Sequence, residues 1–308
     1  MRDTVKPRAL RPGDCVGITA PASCGELEQA KKAAVHLERL GLTVRFGATL
    51  SKQYGYLAGT DEERAAELNA MFADPGIQGI VCARGGYGTA RMAELLDYDT
   101  IAANPKVFWG YSDITFLHAA IGGRTGLVTF HGPMLVCLAK EDVHPLTVRS
   151  LEMMMGQDVR LPETLQLQTL VEGEAAGPII GGNLTLLASS IGTPFEVDTA
   201  GKLLLIEEIE EEPYRIDRML NQLRMAGKLD AAAGILIGDF TDCEPQKRKP
   251  SFDWQEVVRQ YVVPAGRPAV MGLPIGHGSP HIAVPLGVPA RLKTAENTLE
   301  LLESALAD

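Results

Sequence analysis

Positive charge is in short supply in this 308-residue chain: 29 lysines and arginines face 39 acids, for a net charge of −10. A broad nucleic-acid surface needs clustered Lys and Arg, so this balance argues against that class of partner. The one short basic run, Lys247-Arg248-Lys249, lies in a Pro-flanked loop and reads as solvated. Long apolar runs are missing too. Nowhere are there about 18 consecutive apolar residues to span a membrane, and the opening MRDTVKPRALRPGD has no apolar core for a signal peptide. The expectation is a cytoplasmic protein without membrane contact. Cysteine is sparse: Cys15, Cys24, Cys82, Cys137 and Cys243 are odd in number, widely spaced and never in a C-x-x-C, which suggests reduced thiols. Cys24 and Cys82 fall near predicted strand ends, where a nucleophile could sit, although a small buried hydrophobe is the more ordinary reading. There is no H-E-x-x-H and no clustered His/Asp set, so neither a catalytic metal nor another cofactor is expected.

What is present is a chain with 45% hydrophobic residues, enough for a substantial core. Its first half alternates strand and helix with the short connections of an α/β sheet. Strands are predicted at Cys15–Thr19, Leu42–Phe46, Ile77–Ala83, Val107–Tyr111 and Leu127–Phe130, with helices over Glu26–Leu40 and Glu62–Phe72 and after Gly88 and Ser112. HPLTVRSLEMMMG reads as one helix, followed by a polar, Gln-rich connector. The division expected is an α/β domain over 1–140, a linker region over 141–172 and a second domain over 173–308. That second part mixes short strands (Leu203–Ile206, Ile235–Ile237, Ala269–Gly272, Ala290–Lys293, Thr298–Leu302) with helices after Asn183, Pro213 and Phe252. Its last two strands read as a hairpin across Thr294–Asn297.

Chemistry centres on VFWGYSDITFLHAA, residues 107–120. The apolar VFWGYS is a strand, DITFLHAA starts a helix, and Ser112 stands on the corner between them. Such a corner lifts a hydroxyl clear of the sheet and aims the first free helix N–H groups at what it attacks. The second glycine of G-x-S-x-G is replaced by Ile114, and a helix-capping serine is the plain alternative. The loop ARGGYGTAR follows another strand. It lacks G-K-[ST], and Arg91 occupies the last glycine position of G-x-G-x-x-G, so a phosphate cradle is weakly supported. The other functional reading joins a glycine N–H, Gly86, to that of Asp113 as an oxyanion hole, with Arg84 ready for a carboxylate; a tight turn held by Arg84 is the rival. A base must come from six histidines. His36 and His144 read as surface residues, and His118, six residues along the helix from Ser112, is about 9 Å away in rise. His131, His277 and His281 remain, with His277 slightly preferred because glycines flank it in PIGHG. The run KLLLIEEIEEEP offers Glu207 and Glu208 to orient the base; strand alternation points them to opposite sides, so only one can face a site.

Taken in order, the SRGGYG-like loop, GYSDIT, FHGP, GGNL, IEEIEEEPYRIDRML and PIGHG resemble the LD-carboxypeptidases, cytoplasmic serine peptidases of murein recycling, along nearly the whole chain. The resemblance implies a Ser-His-Glu triad of Ser112, His277 and Glu207; Arg84, Gly85 and Asn183 are the substrate contacts expected beside it. It implies a Rossmann-like or flavodoxin-like first domain with a parallel sheet and a smaller β-rich α+β second domain, the site between them, often in a homodimer. The substrate implied is a murein tetrapeptide, free or sugar-linked, cut at the L,D bond before its terminal D-Ala. Glu208 stands where the family usually has Asp, and Cys24 lies in a loop that matches no family motif. A related branch, the microcin C immunity peptidases, shares the triad but cleaves aminoacyl nucleotide amides. That branch tends to carry an aromatic platform in an extra loop, and Leu161–Gly177 contains no Trp, Tyr or Phe. The alternative of another class is a non-catalytic α/β protein that binds a peptide or nucleotide.

Overall fold

The computed structural model describes residues 3–157 and 167–307. Among them the strands are, in chain order, β1 (Cys15–Thr19), β2 (Thr43–Phe46), β3 (Gly79–Cys82), β4 (Val107–Gly110), β5 (Thr129–His131), β6 (Gln168–Val171), β7 (Glu174–Asn183), β8 (Leu203–Ile209), β9 (Gly234–Thr241), β10 (Ala269–Met271), β11 (Val284–Leu286), β12 (Pro289–Lys293) and β13 (Thr298–Leu301). They form two sheets, one in each of two compact units.

The first unit comprises Met1–Val159, Ser279–Gly287 and Ser304–Asp308. Its sheet runs β11-β5-β4-β3-β1-β2, parallel throughout except where β11 pairs antiparallel with β5. Without that edge strand the order is 2-1-3-4-5, the flavodoxin-like one, whose switch point lies between β1 and β3. Strands β3 and β4, GIVC and VFWG, are buried along their whole length, as apolar runs covered on both faces must be. The helix Leu27–Glu38 buries the stripe Ala30, Ala33, Ala34 and Leu37. The helix Asp61–Ala73 opens with a capping box: Thr60 Oγ1 accepts the Glu63 N–H at 3.3 Å, and the Glu63 carboxylate accepts the Thr60 N–H at 2.9 Å. Leu68 and Phe72 from this helix join Ile80, Phe108, Ile114 and Leu117 in one core.

The second unit comprises Arg160–Gly278 and Val288–Glu303. Its sheet runs β13-β12-β7-β8-β9-β10-β6, with β7 to β10 parallel and antiparallel partners at both ends. It is therefore a mixed sheet, with helices Leu184–Ser190, Pro213–Met225 and Trp254–Ala265 between its strands. The hairpin β12–β13 turns through Thr294–Glu296 and Asn297, the latter at φ 51°.

Several details differ from the sequence reading. HPLTVRSLEMMMG is two pieces, an α-helix Pro145–Arg149 and a 3-10 helix Ser150–Met155, not one helix; both fall in the first unit rather than in a linker. The first unit also regains residues 279–287 and the carboxyl-terminal tail, so neither unit is a continuous stretch of chain. Strands β6, β7 and β11 had no counterpart in the sequence reading. Among the described residues no helix is long and apolar enough to cross a membrane.

Candidate active site

Ser112 sits on a strained corner. Strand β4 ends at Gly110, Tyr111 is extended, and Ser112 adopts φ 64° at the start of a 3-10 turn, Ser112–Ile114, that runs into the helix Thr115–Thr125. A left-handed non-glycine residue costs about 1–2 kcal/mol and persists only where its surroundings hold it. Here Ile114 and Leu117, both fully buried, lock the turn into the core. Neither the turn nor the helix carries a side-chain cap, so capping does not account for the hydroxyl. The missing second glycine is absorbed at Gly110, where a Cβ would lie 3.0 Å from Ile114 Cγ1.

The glycine loop after β3 lies against this corner. A Cβ on Gly85 would stand 3.0 Å from Ser112 Cβ, 3.2 Å from its Oγ and 3.2 Å from the Asp113 nitrogen, so the absence of a side chain keeps the space beside hydroxyl and amide open. Gly86, at φ 109°, instead faces Ser23, whose hydroxyl accepts the Tyr87 N–H at 3.1 Å. Asp113 fastens the far end of the loop: its side-chain carboxylate accepts the Thr89 N–H at 2.8 Å, and its backbone carbonyl accepts the Thr89 hydroxyl at 2.6 Å. Burial pushes the Asp113 carboxyl above its ordinary pKa, against these bonds. Arg64, which the sequence reading did not single out, is fully buried and donates to the carbonyls of Pro21 at 2.5 Å and Gly88 at 2.9 Å while pairing with Asp61. It ties the loops after β1 and β3 together, and nothing in its sequence neighbourhood signals that. Arg84 donates from Nη1 to the Cys24 carbonyl at 3.0 Å, a bond that holds the loop after β1.

In the second unit, His277 Nδ1 lies 2.7 Å from Glu207 Oε2. Glu207 is wholly buried, and its Oε1 has no hydrogen-bond partner among the described residues. Since a carboxylate only accepts, the proton in this bond belongs to Nδ1, which leaves Nε2 the basic nitrogen of the neutral ring. Burial works against the imidazolium, but the bond to Glu207 and the charges of Glu207, Glu208 and Asp239 outweigh it and hold His277 above the ordinary histidine pKa. Glu208 faces the other way. It accepts from Asn183 Nδ2 (2.8 Å), from Thr185 N (2.8 Å) and Oγ1 (2.7 Å), and from Ile209 N (2.9 Å). Asn183 is buried, caps the helix Leu184–Ser190 through Leu186 N and braces Glu208. These contacts give Asn183 a structural task that GGNL alone did not disclose.

The other histidines take other parts. His131 and His281 are buried beside Tyr111, their ring centroids 5.7 and 4.4 Å from its own. His118 is buried with Nε2 2.8 Å from the Gly110 carbonyl, and burial lowers its pKa to about 4. His144 accepts the Leu146 N–H at 3.1 Å and caps Pro145–Arg149. In FHGP, a Cβ on Gly132 would lie 2.4 Å from the Trp109 ring, so this motif packs the sheet. Burial raises the Cys82 thiol well above its ordinary pKa, which suits an inert core residue. Among the described residues no group of three or more His, Cys, Asp or Glu could hold a metal ion.

The LD-carboxypeptidase N-terminal domain family matches residues 16–132, and the LD-carboxypeptidase C-terminal domain family matches residues 176–292. The chain is 53% identical over 297 residues to a probable murein peptide carboxypeptidase of Bacillus subtilis, covering 95% of this chain and 93% of that one. Among solved structures it is similar to a muramoyltetrapeptide carboxypeptidase from Oxalobacter formigenes (TM-score 0.81, 28% identity, 93% and 97% of the two chains). It is also similar to the microcin C7 self-immunity protein MccF in complex with glutamyl sulfamoyl guanosine (TM-score 0.87, 26% identity, 98% and 99%).

Proposed function

This chain belongs to the LD-carboxypeptidase family, and from that premise we propose that it is a serine carboxypeptidase releasing the terminal D-Ala from murein tetrapeptides by hydrolysis of the L,D peptide bond. The observation that carries the reading is the 2.7 Å bond between His277 Nδ1 and the buried Glu207, which makes Nε2 a base of raised pKa. In this reading Ser112 Oγ attacks the scissile carbonyl and His277 Nε2 takes its proton. Glu207 holds the tautomer and stabilises the imidazolium that forms. The N–H groups of Asp113 and Gly86 receive the developing oxyanion in the space that Gly85 leaves open, an interaction worth about 10²–10³ in rate per donor. His277 then protonates the departing D-Ala amine, and water repeats the sequence on the acyl-enzyme. A free terminal carboxylate needs a local cation in a chain this acidic, and Arg84, beside the glycine loop, is the candidate. The cytoplasm is the proposed compartment and a homodimer the proposed assembly.

The test is mass spectrometry of a murein tetrapeptide incubated with the pure protein. The expected products are the tripeptide and free D-Ala, absent with Ser112→Ala. The similarity to MccF motivates one further arm, a glutamyl sulfamoyl nucleoside. Preferential cleavage of that compound would move the assignment to the immunity branch. Stable binding of tetrapeptide without turnover would make the protein a binder.

A further inference from the structure

Asp239 has no part in the triad scheme, yet it stands on a bulge beside Glu207 and holds the loop of His277. Strand β9 carries an extra residue where it passes β8: Ile206 pairs with Ile237 and Glu208 with Phe240, so Gly238 and Asp239 together stand opposite Glu207. Such a bulge re-aims the side chains of its strand, and bulges collect beside active sites. The Asp239 carboxylate accepts the Gly278 N–H at 3.2 Å. Both glycines of Gly276-His277-Gly278 are required by this packing. A Cβ on Gly276 would lie 3.0 Å from Glu207 Oε2 and 3.2 Å from Asp239 Cβ, and one on Gly278 would lie 2.5 Å from Asp239 Oδ2.

We propose that Asp239 is a second carboxylate of His277, a positioning residue that fastens the loop bearing the imidazole and adds its negative charge to that of Glu207. The proposal deepens the functional reading and rests on His277 being the base. Glu207 and Glu208 from β8 and Asp239 from β9 all act on His277 as negative charges. Glu208 is fully engaged by Asn183, Thr185 and Ile209, whereas among the described residues the one hydrogen bond of the Asp239 side chain goes to the loop that carries His277. Burial, and then the charge of Glu207, raise the Asp239 carboxyl to about 6, against the opposing pull of the Gly278 N–H and His277. Asp239 thus titrates beside the imidazole. When it gains a proton it withdraws part of the field that stabilises the imidazolium, and the two protons are shared by a coupled pair.

The experiment follows the His277 ring by NMR titration, and kcat/KM on murein tetrapeptide against pH, in the wild type and in Asp239→Asn. Asparagine can still accept the Gly278 N–H but carries no charge. The expected result is a His277 midpoint at lower pH in the variant, with the acidic limb of kcat/KM moving alongside and the plateau rate within about threefold of wild type. Asp239→Ala, which also frees Gly278, should lower the plateau by about tenfold or more as the imidazole loses its alignment. An unmoved His277 midpoint in Asp239→Asn overturns the proposal, even if the rate falls, because a merely structural role would leave the midpoint in place. Should the variant fail to fold, the wild-type titration decides: coupling to Asp239 requires a curve broader than a single proton, and a clean one-proton curve overturns the inference. A midpoint that moves while kcat/KM shows no acidic limb refutes His277 as base, and is distinguishable from both.

Discussion

Two adjacent glutamates should fail in opposite ways when each is changed to glutamine. Glu207 is 0% exposed, bonded through Oε2 to His277 and, among the described residues, without a partner at Oε1. Glutamine there can still accept the Nδ1 proton through its carbonyl oxygen but cannot stabilise the imidazolium electrostatically, and its NH2 group can equally turn to Nδ1 and enforce the wrong tautomer. A loss of about 10³–10⁴ in turnover, or roughly 4–5.5 kcal/mol of transition-state stabilisation, is expected. Folding stability should not suffer. Removing a buried charge with one unsatisfied oxygen should be neutral or gain about 1 kcal/mol, measured at a pH where His277 is neutral. Glu208 has four donors on its two oxygens. Either orientation of a glutamine amide sets NH2 against at least one backbone N–H, that of Thr185 or that of Ile209, which costs about 3 kcal/mol and should lower the melting temperature by about 6–12 °C. Thermal unfolding and single-turnover cleavage of tetrapeptide, both run on purified variants, separate the two. The reasoning is refuted if Glu207→Gln keeps more than about a tenth of wild-type turnover. It is equally refuted if Glu208→Gln unfolds at the wild-type temperature.

Three further outcomes are expected. Ser112→Gly and Ser112→Ala should both lose at least about a hundredfold in turnover, but the glycine variant should be the more stable by about 1 kcal/mol because φ 64° suits glycine better than alanine; equal melting temperatures would remove the strain. Amidating the terminal D-Ala should cost the wild type most of its kcat/KM, whereas Arg84→Met should be slow on the free acid and nearly indifferent to amidation; a mutant that still discriminates leaves Arg84 with its bond to the Cys24 carbonyl alone. His118, depressed to about 4, binds fewer protons folded than unfolded, so its contribution to stability is complete above about pH 6.5 and is lost as the pH falls to 4, a change of roughly 3 kcal/mol. In chemical denaturation at several pH values, His118→Gln should flatten that slope, and an unchanged slope would assign it to other groups.

Legibility in the sequence varied with the physical source of each feature. Strands whose apolar residues are continuous and sharply bounded could be read: β1 runs over Cys15–Thr19 as expected, and β3, β4, β8 and β10 differ from expectation only at their ends. Strand β7 could not, because GEAAGPIIGGN looks like loop. Its glycines are there for close approach: a Cβ on Gly181 would lie 2.1 Å from the Leu205 carbonyl oxygen, and one on Gly177 2.3 Å from that of Gly201. Strand β11 hides behind Pro285, tolerated because β11 is an edge strand. At the candidate site, period-two alternation was enough to send Glu207 and Glu208 to opposite faces, but not to say which one meets His277. Asp239 and Arg64 were invisible, since a bulge and a buried arginine bridging two loops are properties of chain segments that only folding brings together. The aromatic-free stretch used against the immunity branch includes residues 161–166, which lie outside the described residues.

The antiparallel edge strand has a consequence for how the protein is made. The first unit's sheet closes on β5 only when β11 arrives, and Val284 pairs with His131 across a separation of 153 residues. At about 5–20 residues per second, a ribosome needs roughly 8–30 s to synthesise that interval. Throughout it the nascent β5 presents unpaired backbone beside fully buried residues such as Phe130, the kind of edge that recruits strands from other chains. Co-translational folding of the amino-terminal half is therefore provisional. Chains that stop short of residue 284 should collect as aggregates, and full-length yield should depend on translation speed between β5 and β11 and on chaperones that shield a half-finished sheet.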